Sequence, residues 1–142
     1  EAIFASNFCI YLGGVVSWWS IYLINTKDGA QAEGISFLVN DKIKIAKALD
    51  DLGVDFIEAG NPGSNQKDLE FFKEAKGLSL KHSKLVAFGS TRRHNSKACD
   101  DKNVNALLQA DTEYVCIFGK SWDFHVESII NTTKEENLNM IY

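Results

Sequence analysis

The chain has little proline and no cysteine pattern: Pro62 stands alone, and Cys9, Cys99 and Cys116 are an odd number set far apart. Such spacing gives neither a disulfide framework nor a CxxC zinc pair, and it points to a reducing, cytoplasmic setting. Positive charge is also short. Fifteen Lys and Arg face nineteen Asp and Glu, and the net −4 removes the usual electrostatic basis for binding nucleic acid. No Gly-rich dinucleotide fingerprint or Walker loop is present; Gly60-Asn61-Pro62-Gly63-Ser64 has turn chemistry without either spacing. Charge is wholly missing between Ala2 and Thr26, and Phe8 to Ile24 is nearly all apolar. That run is long enough for a membrane helix to be considered. However, Gly13-Gly14 interrupts it, no Lys or Arg flanks its amino side, and Trp18 to Asn25 is aromatic and β-branched like a buried parallel strand. We read a strand there, no membrane segment, and residues 1–18 as an atypical apolar extension.

What is present is a globular composition, 45% hydrophobic and 24% charged. Helical periodicity predicts Asp41–Leu52 with Ile45, Ala46, Leu49 and Leu52 inward, then Lys67–Lys76 with Leu69, Phe72 and Ala75 inward. A third helix, Lys102–Ala110, turns Val104, Leu107 and Leu108 inward, and Thr133-x-x-Glu136 is a capping box that opens a last one. Strands are expected at Val54–Ala59, Lys84–Phe88 and Tyr114–Phe118. Asp28, Glu58, Phe88 and Phe118 sit thirty apart at or just past strand ends, the spacing of repeated βα units around a parallel sheet. A doubly wound sheet and a (β/α)8 TIM barrel both satisfy this α/β pattern. Polar residues follow every strand, which favours the barrel. Since a barrel needs about 250 residues and the period counts four strands, the expectation is half of a barrel. The exposed edges of the first and fourth strands predict self-association into a homo-oligomer.

Asp28 and Glu58 end adjacent strands, and parallel neighbours lie about 4.8 Å apart, so both carboxylates can reach one site. Beside Lys27 and Arg92 they suit a divalent cation, or divided acid and base roles; helix capping or pairing with a lysine is the plainer alternative. His82 and His94 read as surface residues, and Trp122 as a packing residue.

The segments Lys27-Asp28-Gly29-Ala30-Gln31, Ile57-Glu58-Ala59-Gly60-Asn61-Pro62-Gly63-Ser64-Asn65, Phe88-Gly89-Ser90-Thr91-Arg92-Arg93 and Ile117-Phe118-Gly119-Lys120-Ser121-Trp122-Asp123 resemble the first four strand ends of the Asp-Arg-Glu TIM-barrel acyltransferases. The resemblance is to the citramalate synthase branch related to 2-isopropylmalate synthase, and it implies that these are the first four βα units, with 19–142 the amino-terminal half of a TIM-barrel catalytic domain. It implies a Claisen condensation of the co-substrate acetyl-CoA with the keto acid pyruvate, on a divalent metal such as Mg2+ or Mn2+. By that likeness Asp28 is a metal ligand, Lys27 and Glu58 are the catalytic pair, and Gln31, Thr91, Arg92 and Ser121 contact substrate. Lys27 stands where the family motif has arginine, and the family's His-x-His pair of metal ligands is not in this sequence. 2-Isopropylmalate synthase and a truncated, non-catalytic remnant are the alternatives.

Overall fold

The computed structural model describes the backbone of residues 7–11 and 23–25 and all of residues 37–142. Its strands are β1 (Asn7–Tyr11), β2 (Leu23–Asn25), β3 (Phe56–Gly60), β4 (Lys84–Ser90) and β5 (Tyr114–Lys120), with helices α1 (Val39–Leu52), α2 (Gln66–Ala75), α3 (Lys102–Ala110) and α4 (Lys134–Asn139). A short 3-10 turn covers Ala98–Asp100, and a π turn covers His125–Ile129. The sheet runs β1-β5-β4-β3-β2, with β2 to β5 mutually parallel and joined by helical crossovers. This is an α/β fold on a sheet that is parallel from β2 to β5, with β1 antiparallel at its edge. Of the expected first strand, Leu23–Asn25 is described as β2, and residues 18–22 lie outside the described residues.

Local chemistry sets the boundaries. Gly53 ends α1 in the left-handed region at φ 85°, where a Cβ is unfavourable. Asn65 caps α2 through Lys67 N–H, Asp101 caps α3 through Asn103 and Val104 N–H, and Thr133 Oγ1 accepts Glu136 N–H to cap α4. Phe71, Phe72, Ile57 and Val86 are the largest fully buried side chains; Phe71 and Phe72 pack α2 against the middle strands and α3, and Ile57 packs with Ala46 of α1 and Val54. Gly89 lets α3 come close to β4, since a Cβ there would lie 2.7 Å from Leu107 Cδ1.

Several expectations are corrected. Leu52 and Leu108 are exposed rather than inward, and charged Lys42 and Asp50 instead fill the inner face of α1. Ala46 stays buried on that face as expected, and the two charges are accommodated beside it because both have buried partners, which a hydrophobic pattern does not register. The outer edge of β5 is not open: β1 pairs along it antiparallel from Asn7↔Lys120 to Tyr11↔Cys116. The cysteine spacing predicts no disulfide, yet Cys116 is disulfide-bonded while Cys99 is exposed and free. Trp122 is 54% exposed, so it is not a core packing residue.

Candidate functional site at the carboxyl ends of the strands

Parallel strands bring their carboxyl ends to one rim, and here the rim carries Glu58 on β3, Ser90 at the end of β4 with Thr91 and Arg92 just past it, and Lys120 at the end of β5 followed by Ser121. Lys27, Asp28 and Gln31 lie outside the described residues. The ladder pairs Glu58 with Asn25, not with Asp28 as the thirty-residue spacing suggests, because parallel strands here are staggered and not aligned by count. Glu58 is 3% exposed.

The strand end beyond Glu58 is irregular. Glu58 pairs with Val86 but Gly60 already pairs with Ala87, so Ala59 is the extra residue of a bulge. Asn61 then makes a compact turn: its Oδ1 accepts the N–H groups of Gly63 and Ser64 at 3.1 and 3.2 Å. Gly63 abuts Asn103, whose Nδ2 donates to Ser90 Oγ at 3.1 Å, which ties the β3 turn to the end of β4.

After β4, Thr91 N–H donates to Phe118 O at 3.0 Å and holds the chain against β5. Arg92 is enclosed by acceptors: Nη1 donates to Glu136 Oε1 at 2.8 Å and to Ser96 O at 3.1 Å, and Nη2 donates to Asn139 O at 3.1 Å. Its hydrogen bond to Glu136 holds that carboxyl below the ordinary glutamate value. Arg92 therefore fastens this loop to α4. Asp101, 2% exposed, anchors the loop's far end. Burial raises its pKa, but hydrogen bonds from Arg93 and Val104 N–H, Ser96 Oγ and Asn103 N–H outweigh burial and leave it lowered.

Two clefts open on this rim. One of about 170 Å³ is lined by Ser90, Thr91, Arg92, Ile117 and Met140, and one of about 330 Å³ by Lys120, Ser121, Val126 and Asn137. Thr91 and Arg92 thus share one cleft and Ser121 lines the other. Trp122, Phe124 and His125 cluster beside the second, with Trp122 4.6 Å from the His125 ring. Away from the rim, His82 Nε2 lies 2.9 Å from Asp55 Oδ1. Among the described residues no group of three or more His, Cys, Asp or Glu could hold a metal, so this part of the chain does not by itself fit a divalent ion. No helix among them is long and apolar enough to cross a membrane.

Sequence reasoning missed Lys42 and Asp68, which support the β3 end. Lys42 Nζ donates to Ala59 O at 3.0 Å and to Asp68 Oδ1, while Asp68 Oδ2 accepts Asn61 N–H at 2.8 Å. The available signal was Asp68 three residues beyond the helix cap Asn65, on the face shared with Phe72. A Cβ at Gly60 would lie 2.5 Å from Asp68 Cγ. Gly60→Ala is therefore expected to destabilise the fold by about 1–3 kcal/mol through overpacking, read as a lower denaturant midpoint at unchanged slope. An unshifted midpoint would show that the approach is not tight.

Comparison with known proteins gives a consistent result. The family model described as HMGL-like matches residues 20–142. The (R)-citramalate synthase of Aquifex aeolicus is 54% identical over 122 residues, covering 86% of this chain and 23% of that protein. The (R)-citramalate synthase of Sulfolobus acidocaldarius is 49% identical over 125 residues, 87% of this chain and 24% of the relative. The 2-isopropylmalate synthase of Sulfolobus acidocaldarius is 37% identical over 122 residues, 86% of this chain and 30% of the relative. The chain spans less than a third of the length of each of these relatives.

Proposed function

This chain belongs to the HMGL-like family, and from that membership we propose that it is part of the catalytic barrel of a citramalate synthase. The observation that carries the reading is the drop in identity, from 54 and 49% against two citramalate synthases to 37% against a 2-isopropylmalate synthase. The parallel β2–β5 sheet supports the first four βα units of a (β/α)8 barrel, with the rim as the reacting face. The reaction is an acyl transfer in which the acetyl-CoA methyl carbon, after losing a proton, adds to the keto carbon of pyruvate. Water then cleaves the thioester, releasing citramalate and CoA. Such a condensation suits a cytoplasmic route to branched-chain amino acids, isoleucine among them, in an enzyme that associates with copies of itself.

In this reading Lys27 faces the enolate oxygen that develops as the methyl proton leaves. A lysine keeps the charge there but lacks the planar fork of arginine. Glu58 orients Lys27 and the water around it. Gln31, Thr91 and Ser121 line the substrate space, and Arg92 shapes it by holding the loop after β4 against α4. Asp28 would supply one ligand to a divalent ion, Mg2+ or Mn2+, which when bound would polarise the keto carbonyl. The other ligands, like Asp28 itself, would come from outside the described residues.

Offered both keto acids, the full-length enzyme is expected to prefer pyruvate over 3-methyl-2-oxobutanoate in kcat/KM; preference for the branched acid would overturn this assignment. The 142-residue chain alone is expected to release no CoA from acetyl-CoA and pyruvate, measured by thiol titration. One observation favours a second reading, a non-catalytic module. β1 lies outside the span matched by the family and occupies the β5 edge where a further parallel strand would add. Pyruvate-dependent CoA release by the full-length protein would exclude that reading.

A further inference from the structure

We infer that the buried pair Lys42 and Asp68 is a positioning device that fixes the β3 bulge and thereby the direction of Glu58. The inference rests on Glu58 working in the condensation proposed above. Both side chains are almost fully enclosed, at 9% and 7% exposure. Burying two opposite charges contributes little net stability, and an apolar pair of similar volume is often as stable or more so. Neither charge is surplus to hydrogen bonding, however. Between them they hold the first and third of the residues that follow Glu58: Lys42 donates to the carbonyl of Ala59, and Asp68 accepts the N–H of Asn61. Ala59 is the residue that the bulge removes from register, so Lys42 comes from another element to bond its carbonyl. Between the two bonds, Gly60 leaves room for the Asp68 carboxylate where any Cβ would collide with it.

The pieces come from three elements. Lys42 stands on α1, Asp68 on α2, and the clamped backbone on β3, so the pair converts helix packing into a fixed strand end. Phe71, on the next turn of α2, lies under the ammonium group with its ring centre 5.8 Å from Nζ, which limits the positions Lys42 can take. A bulge beside an active site re-aims the side chains around it. Here the re-aimed side chain is Glu58, one residue ahead of the bulge. Lys42 and Asp68 touch no reacting atom in this scheme; they act through Glu58.

The decisive variant carries Lys42→Met with Asp68→Leu, which removes both charges at similar volume. In the full-length enzyme it is expected to melt within a few degrees of wild type. Its kcat should fall by roughly 10- to 100-fold, the scale of a misplacement of about 1 Å, while KM for pyruvate changes less than about threefold. In the 142-residue chain the same variant should speed hydrogen exchange at the Asn61 amide and leave the α3 amides unchanged. A merely structural pair would lower stability and leave kcat alone. Glu58→Gln is measured alongside. Wild-type kcat in the double variant beside a much reduced Glu58→Gln enzyme would overturn the clamp alone, and an unaffected Glu58→Gln enzyme would overturn it together with the role of Glu58. Should the double variant fail to fold, Asp68→Asn assayed below its own melting temperature decides: a kcat at least fivefold lower at constant KM supports the clamp, and an unchanged kcat overturns it.

Discussion

Asp50→Ala is expected to lower the melting temperature of this chain by roughly 10 °C or more, on the scale of losing several charge-assisted hydrogen bonds at once. Asp50 sits near the end of α1 with its carboxylate turned into the loop that leads to β4. Oδ1 accepts the N–H groups of Ser83 and His82 at 2.7 and 2.8 Å, and Oδ2 accepts that of Lys81 at 2.8 Å. Ser83 is itself buried and donates through Oγ to Val54 O at 2.6 Å, so the loop is pinned to both α1 and the approach to β3. Alanine would leave three N–H groups without acceptors and free the start of a central strand. Asparagine keeps one oxygen but points an NH2 at a donor, and it should recover only part of the loss.

The same contacts fix the pH behaviour. Hydrogen bonds from the backbone, Ser83 first and then Lys81, lower the Asp50 pKa from 3.8 to about 2, against the opposing effect of burial. A folded pKa below the unfolded one gives stability that is complete above the unfolded value and lost as pH falls towards the folded one. The wild-type melting temperature should therefore drop between about pH 4 and pH 2, and Asp101, lowered in the same direction, adds to that drop. Asp50→Asn should flatten the profile in this window. A variant whose melting temperature falls as steeply with acid as the wild type would assign the acid transition to other carboxyls.

Much of the architecture was legible because it depends on local periodicity and caps. Lys102–Ala110 is a helix over the expected residues, and Tyr114 opens β5 where the sequence places it, since an acidic N-cap and an apolar run act within a few residues. The apolar face of α1 was less legible. Its inner positions include Lys42 and Asp50, whose burial is decided by groups 17 to 33 residues away in sequence. For the same reason Arg92 reads as a carboxylate binder from sequence, whereas Glu136 and the carbonyl of Asn139, more than forty residues on, occupy its guanidinium. The strand ends that carry the candidate site were visible as polar residues at a regular spacing. The stagger between strands was not, because register depends on twist and on the bulge at Ala59.

Glu58→Gln in the full-length enzyme should reduce kcat by roughly 10³-fold, the scale for losing one cationic partner of a developing oxyanion, here Lys27 left unoriented. Glutamine keeps the volume and an acceptor oxygen, and Glu58 sits 3% exposed in the middle of a paired strand, so the fold should survive with a melting temperature close to wild type. In the proposed scheme glutamine removes the negative charge by which Glu58 would hold Lys27 in place. Glu58→Asp keeps the charge but withdraws it by one methylene. Its kcat should fall less, by roughly 10²-fold, as expected when a reacting group is displaced by about 1 Å. The order Glu, Asp, Gln therefore tests whether charge or shape matters more at this position. A Gln enzyme faster than the Asp enzyme would mean that the carboxylate acts through its size and hydrogen bonds alone. A charge requirement in a residue so fully enclosed would explain why the chain keeps a carboxylate there, since an apolar side chain on the same strand would pack at less desolvation cost.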